Sequence, residues 1–98
     1  QRMSTTPTKL ADADIAAKLA HHPQWTRENH TITRTLVFDN FIKAFGFMTE
    51  VALLAQEMNH HPDWQNVYNK VTIHLSTHDV DGISDLDFAL AEKIDALV

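Results

Sequence analysis

The sequence predicts an α+β fold: a four-stranded, mainly antiparallel sheet with three helices on one face, in the order α-β-β-α-β-β-α. Three observations carry this. Thr31 to Phe38 and Val71 to Ser76 alternate apolar and polar residues with the period of a strand. Phe41 to about Asn59 is a long helix-forming stretch interrupted only by Gly46. A His-His-Pro-x-Trp sequence follows a helical stretch twice, around Trp25 and around Trp64, and a hairpin follows each. Ninety-eight residues with 44% hydrophobic content suit one domain. We place it at residues 10–98, behind a polar tail at 1–9 that has no periodic apolar pattern to anchor it.

The first helix spans Leu10 to Ala20, with Ile15 and Leu19 one turn apart and Asp12 and Asp14 near its positive end. Pro23 stops it, because the residue before a proline is pushed out of the helical region. In the first long strand Ile32, Leu36 and Phe38 share one side, the threonines take the other, and Arg34 breaks the apolar row. Asp39 or Asn40 can cap the long helix. There Phe41, Phe45, Met48, Ala52 and Ala55 form one apolar stripe, and Phe47, Val51, Leu54 and Met58 form a second beside it. One stripe suffices to pack on a sheet, so the other predicts a deep position or, in so small a domain, a contact with a second copy. His60-His61-Pro62 ends this helix, and Trp64 to Tyr68 form a short extended segment before a turn at Asn69-Lys70. In the last strand Val71, Ile73 and Leu75 face the core, and Thr72, His74 and Ser76 face away. Ser84 can cap the final helix, which carries Asp85 and Asp87 in its first turn and Leu86, Leu90, Ile94 and Leu97 toward the core.

A formal charge of −5 without any Lys/Arg run argues against direct nucleic-acid binding, which needs a basic surface to displace counterions. Without cysteine there is neither a disulfide nor a thiolate metal site, and the composition suits a reducing cytoplasm. No apolar run approaches the roughly 20 residues that cross a bilayer.

Seven histidines in a chain this short direct attention to imidazole chemistry. Metal binding fits poorly: there is no His-Glu-x-x-His, and Glu57 and His60 make a single Glu-x-x-His. Proton transfer at neutral pH fits better. His60 and His61 lie where the long helix stops, and His78 lies at the end of the last strand, where functional groups commonly gather. Helix termination accounts for His21 and His22, a turn for His30, and the polar row of a strand for His74. Trp64 and Tyr68 read first as rings anchoring a short strand, and Asp87 as a carboxylate on a helix N-terminus.

The run Glu57-Met58-Asn59-His60-His61-Pro62-Asp63-Trp64-Gln65-Asn66-Val67-Tyr68-Asn69-Lys70-Val71, then Ser76-Thr77-His78-Asp79 and Asp87, closely resembles the signature of the pterin-4a-carbinolamine dehydratases. Lys43 to Thr49 and Val51 to Leu53 resemble that family's long helix, and the likeness covers roughly residues 25–95. The resemblance implies that His60, His61 and His78 are catalytic. It also implies that Asn59, Pro62, Trp64, Ser76, Thr77 and Asp79 border a pterin, with Glu57 and Asp87 supporting the site. Asn59 departs from the aspartate of some relatives. The implied reaction is loss of water from a 4a-hydroxytetrahydropterin, without a cofactor or a metal. The implied assembly is a dimer or a tetramer packed through the long helices. Animal relatives also act as dimerisation cofactors of a homeodomain transcription factor, so a protein-binding module with nuclear as well as cytoplasmic residence is the alternative.

Overall fold

The computed structural model describes residues 7–98, so most of the expected tail lies outside the described residues. The elements are α1 (Asp12–Leu19), β1 (Thr26–Glu28), β2 (Thr31–Val37), α2 (Phe41–Met58), β3 (Asp63–Val67), β4 (Lys70–Leu75) and α3 (Asp85–Asp95), with one 3₁₀ turn at His78–Val80. The four strands form one sheet in the order β1-β2-β4-β3, every neighbouring pair antiparallel. This is the fold class read from the sequence.

Strand parity divides the sheet into two chemically distinct faces. Ile32 pairs with Leu75, Arg34 with Ile73 and Leu36 with Val71, and the apolar members of these pairs are buried. The helices supply the other half of the core through Ile15, Phe47, Val51, Leu90 and Ile94. The opposite face carries Thr33, Thr35, Thr72 and His74. Arg34 sits in the apolar row because α3 supplies its counter-ion: Asp95 accepts from the Arg34 guanidinium and, at 2.9 Å, from the indole N–H of buried Trp25. An isolated guanidinium there would be costly, so Asp95 fixes where α3 ends against β2.

Asn40 caps α2 by accepting from the Lys43 backbone N–H at 2.9 Å. The side of α2 turned to the sheet buries Ala44, Phe47, Val51 and Ala55. The two stripes read from the sequence are therefore divided differently. Phe47 and Val51 are buried, Leu54 and Met58 are half-buried, and Ala55 and Met48 join that side, whereas Phe41, Phe45 and Ala52 face solvent. Ile42 and Leu53, 79% and 69% exposed, lie on the same outer surface. Periodicity places apolar residues around a helix but does not say which arc meets the sheet, and the small Ala44 gave no strong signal. Arg27 and Glu28, expected in a turn with Asn29, lie instead in β1, and the reversal falls at Asn29, with φ 55°.

Candidate active site

Three chain reversals converge at one end of the sheet. The first ends α2. Asn59 adopts the left-handed conformation (φ 53°, ψ 41°), its N–H bonds the Gln56 carbonyl at 3.1 Å, and the His60 N–H bonds the Ala55 carbonyl at 3.0 Å. This pattern closes a helix when the left-handed residue is Gly or Asn, and here it turns the chain so that His60 points inward. Asn59, expected beside a pterin, thus has a structural task in its backbone.

The second reversal follows β4. The Thr77 N–H donates to the Gly82 carbonyl at 2.7 Å and closes residues 78–81 into a loop that begins with the 3₁₀ turn. Asp81 turns that loop with φ 51°. Gly82 is buried beneath the Lys9 side chain: a Cβ at this position would sit 2.8 Å from Lys9 Cε. Leu10 N–H donates to the Ile83 carbonyl at 2.8 Å, so residues 9 and 10 lie against this loop.

The third is the start of α3. Ser84 accepts from the Leu86 backbone N–H at 3.2 Å, and Asp87 Oδ2 accepts from the Ser84 backbone N–H at 3.0 Å, a reciprocal capping box. Asp87 was expected to stabilise the helix N-terminus, and it does. It is also fully buried and serves two further donors: Thr77 Oγ1 lies 2.9 Å from its Oδ2, and His60 Nε2 lies 2.6 Å from its Oδ1. Thr77 Oγ1 is in turn 2.6 Å from Ser84 Oγ. His60, Thr77, Ser84 and Asp87 are all buried, and among the described residues no buried side-chain nitrogen or oxygen lacks a partner.

This network brings together the two segments that carry the remaining candidate histidines. His61 follows His60 and is exposed, with Nε2 2.9 Å from Gln56 Oε1. His78 follows Thr77, is exposed, and makes no side-chain hydrogen bond among the described residues. The β3–β4 register pairs Asp63 with His74 and Trp64 with Ile73, at the end of the sheet where the chain leaves α2. Pro62, Trp64 and Ser76 are half-buried, Trp64 packing on the core, and Asp79 is exposed. Glu57 is exposed and bonds neither histidine; the partner of His61 is its neighbour Gln56.

Sequence reasoning missed Ser84 as part of this site, although the Ser-x-x-Asp capping pattern marked it as a partner of Asp87. Nothing in the sequence marked Gln56. His22, expected only to end α1, has Nδ1 3.8 Å from Asp95 Oδ2 and a ring 5.7 Å from that of Phe88. A shallow groove of about 270 Å³ lies there, bordered by Lys18, His21, His22 and the outer side of α3. Its one lysine is paired with Asp85 at 3.2 Å. Among the described residues no cluster of three His, Cys, Asp or Glu side chains has metal-binding geometry, and no helix is long and apolar enough to cross a membrane.

A linked pair of one imidazole and one buried carboxylate, flanked by two exposed imidazoles, can hold one ring fixed while the others exchange protons with solvent. Known proteins are similar to this chain in sequence and fold. A family model described as pterin 4 alpha carbinolamine dehydratase matches residues 8–97. A protein of Prochlorococcus marinus (strain NATL2A) named for the same activity is 56% identical over 77 residues, 79% of this chain and 81% of that protein. One of Solibacter usitatus, named likewise, is 52% identical over 90 residues, 92% of this chain and 95% of its own length. A crystal structure from Brucella melitensis, described as a transcriptional coactivator/pterin dehydratase, superposes with a TM-score of 0.88 at 36% identity, covering 91% of this chain and 97% of that one. A pterin dehydratase-like protein described as a RuBisCO assembly factor of the alpha-carboxysome shares the fold, with a TM-score of 0.62 at 20% identity over 74% of this chain and 84% of its own. By sequence and by architecture, then, this chain belongs to the pterin-4a-carbinolamine dehydratase family.

Proposed function

We propose that the protein dehydrates a 4a-hydroxytetrahydropterin to the quinonoid dihydropterin and water, recycling the tetrahydropterin of aromatic amino acid hydroxylases. The observation that carries the reading is the buried His60–Asp87 pair, which holds the ends of α2 and β4 against α3 and so draws together the segments bearing His61 and His78. The ring nitrogen next to the carbinol carbon loses its proton as its electron pair forms a C=N double bond. The C–O bond breaks, and the departing hydroxyl takes a proton to leave as water. One base and one acid suffice, and no electrons are exchanged with a cofactor.

His61 and His78, both exposed, share the two proton transfers, and His60, fixed by Asp87, orients the pterin ring. Asn59, Pro62, Trp64, Ser76 and Asp79 border the bicycle, with Glu57 at the outer edge. Thr77 and Asp87 are buried behind His60. His61→Ala and His78→Ala should each lower kcat on the carbinolamine by roughly 100-fold or more, the usual contribution of a positioned acid or base. Wild-type kcat in both variants, read by the absorbance change of dehydration, would sink the assignment.

A second reading, a protein-binding module acting through α2, is favoured by one observation: Phe41, Ile42, Phe45 and Leu53 are all exposed on its outer side. The Brucella neighbour's description as a coactivator points the same way. A module of this kind without catalysis would show no turnover in the dehydration assay, so one measurement separates the readings.

A further inference from the structure

Counting hydrogens in the Asp87 network identifies the His60 nitrogen that is free to take part in chemistry. A hydroxyl has one hydrogen to give. Ser84 Oγ already accepts from the Leu86 N–H, and it is completely buried, so its own hydrogen must go to Thr77 Oγ1 at 2.6 Å. If Thr77 donated to Ser84 instead, the buried Ser84 hydrogen would have no acceptor, and Thr77 Oγ1 would face Asp87 Oδ2 at 2.9 Å as a second acceptor. The chain of donation therefore runs one way, from Ser84 to Thr77 to Asp87.

Asp87 Oδ2 then receives two hydrogens, from Thr77 and from the Ser84 N–H. A carboxylate only accepts, so at 2.6 Å from Oδ1 the His60 Nε2 must carry a hydrogen. His60 is left with Nδ1 as its one nitrogen able to gain or lose a proton. Nδ1 has no hydrogen-bond partner among the described residues, and no buried polar atom there is unsatisfied, so Nδ1 is open to solvent or ligand.

We propose that Thr77 is a positioning residue: its hydroxyl hydrogen, committed to Asp87, holds in place the carboxylate that seats the His60 Nε2–H, so that Nδ1 faces the substrate. This revises the expectation that Thr77 itself borders the pterin, since its hydroxyl is already engaged on both sides. The catalytic meaning of the assignment rests on the dehydratase reading, but the tautomer does not.

The test uses the whole protein labelled with ¹⁵N-histidine, with long-range ¹H–¹⁵N spectra recorded without ligand at alkaline pH. The expected result is a His60 ring with protonated Nε2 and bare Nδ1. A bare Nε2 with protonated Nδ1 in the wild type overturns the proposal, and that outcome needs no variant to fold. Thr77→Ser keeps the donor and should keep both the tautomer and kcat. Thr77→Val removes one donor to Asp87 and should keep the Nε2-protonated tautomer while lowering kcat about tenfold with KM changed less, the low end of what losing a partner behind a functional imidazole costs. A folded Thr77→Val with the wild-type kcat also overturns it. Absence of turnover in the wild type, with the expected tautomer, would refute the dehydratase reading and leave the proton assignment standing.

Discussion

Asp87 shows how one side chain can carry two duties without compromise. It closes the first turn of α3 and accepts from both His60 and Thr77. The first duty was legible, because a carboxylate three residues after a serine marks a capping box. The second was legible only through family resemblance, since the 27 residues separating His60 from Asp87 leave no local pattern. The same limit explains Gln56, whose bond to His61 arises from the way the helix end turns. Asp87→Ala leaves buried donors of His60, Thr77 and Ser84 without an acceptor. It should cost about 2–4 kcal/mol of stability in urea unfolding, in addition to activity. His61→Ala and His78→Ala, truncations of exposed rings, should change stability by no more than about 0.5 kcal/mol in the same measurement, which separates loss of chemistry from loss of fold.

At the scale of elements, strong periodicity gave boundaries to within one residue and weak periodicity did not. α2 runs Phe41–Met58 against an expectation of Phe41 to about Asn59, and β4 runs Lys70–Leu75 against Val71 to Ser76. β1, three exposed residues without a buried side, was partly read as turn, because its pairing to β2 is a backbone matter. Two substitutions in and just after α2 test the local account. Asn59→Ala places a Cβ residue without a compensating amide at φ 53° and should cost about 1 kcal/mol, while Asn59→Gly should not destabilise. Gly46, helical and exposed, has nothing within 4 Å of where a Cβ would stand. Gly46→Ala should therefore raise stability by about 0.5–1 kcal/mol in thermal or urea melts of the isolated chain.

For the whole molecule, the division of the sheet into two faces followed from the sequence, Arg34 apart: apolar partners lie under the helices, threonines and His74 opposite. What the sequence left open was the outward side of α2. Phe41 and Phe45 pack on each other with ring centroids 5.7 Å apart, and Ile42 and Leu53 extend the same exposed apolar surface. Light scattering at micromolar concentration is expected to give a mass above 11.1 kDa. Phe45→Glu should lower that mass while the dehydration assay keeps its kcat, because Phe45 lies outside the proposed site. A strict monomer in the wild type would contradict the expectation.

The capping box that starts α3 is also the seat of His60, so winding the first turn of that helix and seating that imidazole are one event. Titration with denaturant should accordingly show turnover and helical ellipticity vanishing along a single curve, with no window in which a folded but inert protein accumulates.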